Sequence, residues 1–406
     1  MNEPLFTPEQ LAEIEAYHFP HYVWAAVGDG VNLVVCLLVL WRGVAPMFRF
    51  SEWAAAALAA RWPGLRKARV PRVVLAALDR LWGGPGWGAA LLFAGCDFAV
   101  GVLAFLPVDV YFGYVLEHRF GLSRYTPFTF AVDELKETAA ALAPTLAVAF
   151  GLFALARRLD RWWLVLGLVA AMALLGSAAL DPYRGRYYFD QRPLEEGPLR
   201  VRLTGLLRRA GVEFSDIVVE KTSRATVKVQ AYFAGQGRTR AIVLNDSLLA
   251  QLEDDEVLAA VAHEAAHTRE SRWPNRVAAA LALLAFLFGI DRLFRRAARS
   301  GWLGTHRFAD IRTLPLVALV FYLAAGVTGP VAAAFSRGRE LEADAFALRL
   351  TGDPGAFRRM LVKAARVNKM DPNPPRWVVL KGWSHPPIGE RLAAVDRGDW
   401  KNTDGR

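Results

Sequence analysis

The pentapeptide His263-Glu264-Ala265-Ala266-His267 sets two imidazoles four residues apart with a carboxylate between them. Four residues advance an α-helix by a little over one turn, so both rings project side by side and can share one metal ion. Glu264 lies one step round the helix, where it reaches a water activated by that ion rather than the ion itself. That is the place of a general base in metal-assisted hydrolysis. The surrounding sequence supports a helix: Asp254 and Asp255 are N-cap candidates, Glu256 falls in the first turn, and Val257, Leu258, Val261, Ala262 and Ala265 form an apolar stripe. Pro274 stops its simple continuation. The competing reading is a chance order of residues, in a chain with seven histidines among 406 residues.

Two histidines leave a catalytic zinc one protein ligand short. In Ser336-Arg337-Gly338-Arg339-Glu340-Leu341-Glu342-Ala343-Asp344, helical spacing puts Glu340 and Asp344 on one face and turns Glu342 away. Glu340 can complete the ligand set, and Asp344 can accept the free ring N–H of a metal-bound histidine. Taken alone, the segment also reads as a solvated helix bearing i,i+4 charge pairs.

The elements that must position these groups are largely apolar. Hydrophobic residues make up 54% of the chain, concentrated in runs at 23–41, 88–112, 138–156, 162–180, 277–294 and 314–335. Each is long enough to cross a bilayer as a helix. A weaker run at 70–82 is interrupted by Arg72, Asp79 and Arg80. The expectation is a mainly α, polytopic membrane protein of six to seven spans. Glu3, Glu9, Glu13 and Glu15 precede the first run, where a cleavable signal peptide would need basic residues. Cys36 and Cys96 both fall inside runs, so neither a disulfide framework nor a thiolate site is expected, and the metal ligands must be His and carboxylate. The net charge of +10, with Arg beside the spans, reads as contact with anionic headgroups; no stacking motif or basic repeat favours nucleic acid. An acidic N-terminus followed by the basic loop from Arg42 to Arg69 places the N-terminus outside. Six spans would then leave His263 outside and seven would bring it inside, so the run at 70–82 decides the topology.

The chain divides into an N-terminal membrane domain (1–180), a polar part with the HExxH helix (181–276), a membrane hairpin (277–335) and a polar C-terminal part (336–406). Residues 199–210 form an amphipathic helical pattern, 216–220 a strand, and 226–233 with 240–244 a β-hairpin around Ala234-Gly235-Gln236-Gly237. The exposed edge of such a hairpin can hold an extended peptide through main-chain hydrogen bonds; a hairpin that only covers the core has the same periodicity.

Three motifs in order, HEAAH, SRGRELEADAFA and Ser384-His385-Pro386-Pro387-Ile388-Gly389-Glu390-Arg391-Leu392, resemble the CAAX prenyl protease 1 family of membrane-embedded zinc metallopeptidases. Val115-Leu116-Glu117-His118-Arg119-Phe120-Gly121-Leu122-Ser123 is similar to that family's signature after an N-terminal span, and Gln230-Ala231-Tyr232-Phe233-Ala234-Gly235 to its substrate strand. The resemblance implies one Zn²⁺ per chain on His263, His267 and Glu340, with Glu264 as general base and Asp344 orienting a ligand. It also implies His385 near the substrate, Arg391 as a charge supporting the site or the tetrahedral intermediate, and Gln230, Ala231, Tyr232 and Phe233 as the strand that receives peptide. The implied fold is a gluzincin-type domain closing a barrel of seven spans around a water-filled chamber, on the cytoplasmic side. Asp29, Asp97 and Asp109 fit such a chamber, although helix packing would also account for each. The chain departs from the family in Gln230 for Asn, in Ala265-Ala266 for Leu-Gly and in the charged run at 70–82; none removes a catalytic group.

The expected function is a membrane-integrated zinc endopeptidase acting on a peptide or protein substrate, which in the family is the C-terminal tripeptide of prenylated proteins. For a chain of the bacterial inner membrane, quality-control proteolysis is the alternative. From a different class, a zinc-stabilised scaffold or transporter would use the same ligands without cleavage. The sequence leaves the natural substrate and the oligomeric state open.

Overall fold

The computed structural model describes residues 5–61, 69–84, 86–176, 189–235, 239–269, 273–299 and 309–401. The end of the run at 162–180 and the turn residues Gln236 and Gly237 lie outside them. The N-terminal half consists of helices α1 (Pro8–Arg61), α2 (Arg69–Trp82), α3 (Trp87–Arg119), α4 (Pro127–Arg158) and α5 (Trp162–Gly176). Two of them start the same way. Thr7 and Thr126 each precede a proline at the first helical position and form a reciprocal capping box with the residue three further on, Gln10 and Thr129. The later helices of membrane length are α9 (Trp273–Arg299) and α10 (Leu314–Thr351).

Among the described residues, five helices are long and apolar enough to cross a membrane: α1, α3, α4, Arg276–Arg296 of α9 and α10 with the 3₁₀ turn before it. Their most apolar stretches are only 6–22% buried, so most of those apolar residues are not packed inside the protein. Phe19, Leu103, Val327 and Phe335 stand exposed there, as lipid-facing residues do and as a water-soluble fold avoids. The expected span at 162–180 is described only as the 15-residue α5. The doubtful run at 70–82 does form a helix, α2, whose 14 residues reach about 21 Å. Its end is locked in place by Trp82, which is buried, stacks on Phe150 and lies under the Arg157 guanidinium. A polar pin joins α5 to α9: Trp162 Nε1 donates to Asp291 at 2.7 Å, and Arg295 pairs with the same buried carboxylate at 2.9 Å.

Outside the spans lies a small mixed layer. Strands β1 (Gln191–Pro193), β2 (Asp216–Glu220), β3 (Ala231–Ala234) and β4 (Ala241–Asn245) form one sheet in the order β1-β2-β4-β3, with β2 and β4 parallel and the outer pairs antiparallel. The helices with it are α6 (Pro198–Arg209), α7 (Asp246–Gln251), α8 (Asp254–Arg269), α11 (Pro354–Val367), α12 (Arg376–Gly382) and α13 (Ile388–Arg397). Apart from β1 and α12 they share one core, with Leu206, Ile242, Val261, Phe357 and Leu392 all buried beside Leu348 of α10.

Two expectations need correction. Asp254 and Asp255 do not cap α8; they lie in its first turn and pair with Arg202, while the Glu256 carboxylate accepts the Glu253 N–H at 2.9 Å. The first strand of the hairpin is shorter than 226–233, because the backbone before Ala231 is satisfied elsewhere. Val227 N–H goes to Leu122 O, both Val229 groups go to the Asn368 side chain, and Gln230 N–H goes to Asn245 Oδ1. With those groups used, only Ala231–Ala234 ladder onto β4.

Candidate metal centre

Helix α8 carries His263 and His267 on a floor of Val261, Ala262 and Ala265 that is fully buried, and α10 crosses it with Glu340. The long α10 is continuous from its apolar part to Asp344, so one helix carries both an apolar stretch of membrane length and the candidate ligand Glu340. His263 Nε2 lies 3.3 Å from Glu340 Oε2, and His267 Nε2 lies 3.3 Å from Glu340 Oε1. Two ligand atoms bound tetrahedrally at zinc distances are separated by about 3.3 Å, so the spacing fits an ion held between them. A second observation agrees: the buried Glu340 Oε2 has ring nitrogens of His263 and His385 within 3.3 Å, yet neither meets hydrogen-bond geometry, so the oxygen suits a cation.

The groups behind the ligands are buried and paired. His263 Nδ1 sits 2.8 Å from Asp344 Oδ1, and since a carboxylate only accepts, Nδ1 carries the proton and Nε2 faces the ligand cluster. Arg391 on α13 grips Asp344 with two prongs, Nε to Oδ2 at 2.7 Å and Nη2 to Oδ1 at 2.5 Å. Burial alone would lower the His263 ring, yet the Asp344 and Glu340 carboxylates outweigh it and push it up to about 9. Burial raises the Glu264 carboxyl above its ordinary value, against the pull of the two imidazoles beside it. Among the described residues the Glu264 side chain makes no hydrogen bond, which leaves it able to accept a proton. His385 approaches from the other side, Nδ1 at 2.9 Å from Glu340 Oε2, with its side chain 57% exposed.

The sheet brings β3 to an outer edge, packed beside α8. Ala231 and Phe233 turn toward the core, whereas Tyr232 faces the other side and donates to Glu220 Oε1 at 3.1 Å. Gln230 is exposed and held only by its backbone. Residues 117–125, which overlap the signature Val115–Ser123 at the end of α3, dock on 222–228: Lys228 pairs with Glu117 at 2.8 Å, Arg124 N–H reaches Ala225 O at 2.8 Å, and Arg224 reaches Asp133 of α4 at 3.1 Å. Sequence reasoning missed Asn245 and Asn368, whose amides hold the chain leading into β3, because a lone asparagine carries no spacing signal.

Known proteins align with both halves. Residues 193–398 match the family description "Peptidase family M48", and residues 3–184 match "CAAX prenyl protease N-terminal, five membrane helices". The chain is 26% identical over 304 residues to the Bacillus subtilis protein described as uncharacterized metalloprotease YhfN, covering 73% of this chain and 70% of that one. It is 29% identical over 329 residues to the CAAX prenyl protease 1 homolog of Arabidopsis thaliana, covering 76% and 74%. Among solved structures, S. mikatae Ste24p superposes with a TM-score of 0.69 over 98% of this chain and 100% of that one; at 20% identity it shows a shared fold. A cluster of two histidines and a glutamate that could hold a metal ion, with five helices long and apolar enough to cross a membrane, thus sits on a chain that belongs to peptidase family M48, as an integral multi-pass membrane metalloprotease.

Proposed function

We propose that the centre is a single zinc site that hydrolyses a peptide bond in an extended segment laid along the open edge of β3. The observation that carries this reading is the spacing of 3.3 Å from Glu340 to each of His263 and His267, which suits one ion held among the three. His263, His267 and Glu340 would hold the ion, and a bound zinc supplies Lewis-acid activation of water and of the scissile carbonyl. Glu264 takes the proton of the attacking water and returns it to the leaving amine. Asp344 fixes the His263 tautomer, and Arg391 fixes Asp344. His385, aimed at the cluster from the exposed side, donates toward the oxygen on which charge develops. Main-chain pairing at β3, through Gln230 to Phe233, sets the register without demanding much of the substrate's side chains.

For the substrate class we favour C-terminal peptides of membrane-tethered proteins, prenylated ones included, as the names of the CAAX prenyl protease relatives suggest. We place the catalytic part on the cytoplasmic side, with 1–180 as membrane domain and the peptidase divided by the membrane hairpin at 277–335. The test uses purified full-length protein in phospholipid nanodiscs with quenched peptides, farnesylated and not. Cleavage abolished by chelator and restored by zinc is expected, with a lower KM for the farnesylated peptide. A zinc-loaded protein that cuts none of a varied set would overturn the reading in favour of a scaffold.

A further inference from the structure

Asp29 lies on α1 within a helix of membrane length. A carboxylate there needs water or a partner, and this one has two. Lys381 Nζ stands 2.8 Å from Oδ2, and the Tyr322 hydroxyl on α10 donates to Oδ1 at 2.8 Å. Lys381 also donates to the carbonyl of Ala25, one turn earlier on α1. The short helix α12 that carries Lys381 is therefore tied to α1. It is tied to α10 as well: Arg337, one turn before Glu340, donates through Nη1 to Val379 O at 3.1 Å and to Trp383 O at 2.6 Å.

His385 follows Trp383 by two residues and is continued by Pro386 and Pro387, which restrict the backbone on its far side. Apart from its approach to Glu340 at 2.9 Å, the ring has no polar partner among the described residues. Its position over the ligand cluster therefore depends on where the preceding helix is held. That helix is held between two membrane helices.

We infer that Lys381 is a positioning residue for His385, with Asp29 as its anchor on α1 and Arg337 as the fixed point on α10. The spacing of α1 and α10 is then transmitted to the metal centre, so the catalytic geometry reports the packing of the membrane part. The inference rests on the role given above to His385. A donor aimed at developing charge is sensitive to displacements well under its own length, which makes kcat the quantity that responds.

The experiment measures kcat and KM on zinc-loaded, full-length protein in nanodiscs with a quenched peptide. Lys381→Met and Asp29→Asn each lower kcat by about tenfold, with KM and zinc content near those of the parent, and Lys381→Arg restores most of the rate. His385→Ala lowers kcat at least as much. The double variant Lys381→Met/His385→Ala is no slower than His385→Ala alone. A parent-like kcat for Lys381→Met beside a slow His385→Ala overturns the inference, and so do losses that multiply in the double variant. His385→Ala at the parent rate defeats instead the role given to His385, and this inference with it.

Discussion

Glu340 meets both histidines and His385 with one carboxylate, and Asp344, one turn later, meets His263 and Arg391 with another. In the proposed site the two acids divide the work: Glu340 would face the ion, and Asp344 would secure His263. Asp344→Asn removes the acceptor that holds His263 Nδ1–H, so zinc affinity falls by about 10- to 100-fold, read by competition with a metal chelator. Arg391→Met leaves the Asp344 charge buried with no guanidinium, and costs about 3–5 kcal/mol in denaturant unfolding of the metal-free protein. Adding Asp344→Asn to that variant recovers part of the loss, because the stranded charge is gone. At this scale the sequence was most informative, since i,i+4 spacing on a helix is rigid: His263 with His267, and Glu340 with Asp344, land where the spacing puts them. That α8 and α10 cross at those residues is a tertiary fact, and no spacing within either helix encodes it. Arg391 was legible only through a resemblance of motif, because nothing local marks an arginine for burial.

Among the elements, β3 depends on groups outside the sheet. Asn368 satisfies both backbone groups of Val229, and Asn245 takes the Gln230 N–H while its amide donates to Lys228 O at 2.7 Å. Asn368→Ala leaves two part-buried backbone groups unpaired and costs about 1–3 kcal/mol of stability. The strand entering the site loosens, and KM for peptide rises more than kcat falls; an equal effect on both would mean that Asn368 supports the whole domain and not the strand. The alternation of residues 226–233 suggests one long strand, yet only Ala231–Ala234 keep the ladder, since side-chain partners distant in sequence took the earlier backbone groups. Helices 198–209 and 254–269 were plain from their apolar periodicity because their hydrogen bonds close locally, whereas the cap read at Asp254 and Asp255 was not borne out.

At the scale of the whole molecule, the apolar helices and the sheet-bearing layer share α10 and meet again where 117–125 docks on 222–228. Apolar runs announced the membrane helices, whereas α2 stayed ambiguous because its charges share a helix with Trp82, and only packing on Phe150 and Arg157 shows how it is accommodated. The docking of 117–125 on 222–228 had no local signal, as it pairs segments a hundred residues apart. Lys228→Met breaks the ion pair with Glu117 while leaving the backbone contacts in place. Faster amide hydrogen exchange is expected in 224–234 with little change in α8, and unchanged exchange in that segment would show that the backbone contacts alone secure the junction.

The central claim is that Glu264 is the base of a hydrolytic metal centre held by His263, His267 and Glu340. Its most direct test is the peptide-cleavage rate of Glu264→Gln, measured on protein whose zinc content equals that of the parent. Full metal occupancy and a kcat lower by at least about 10²-fold are expected; a fully loaded Glu264→Gln protein that cleaves at the parent's rate would rule Glu264 out as the base.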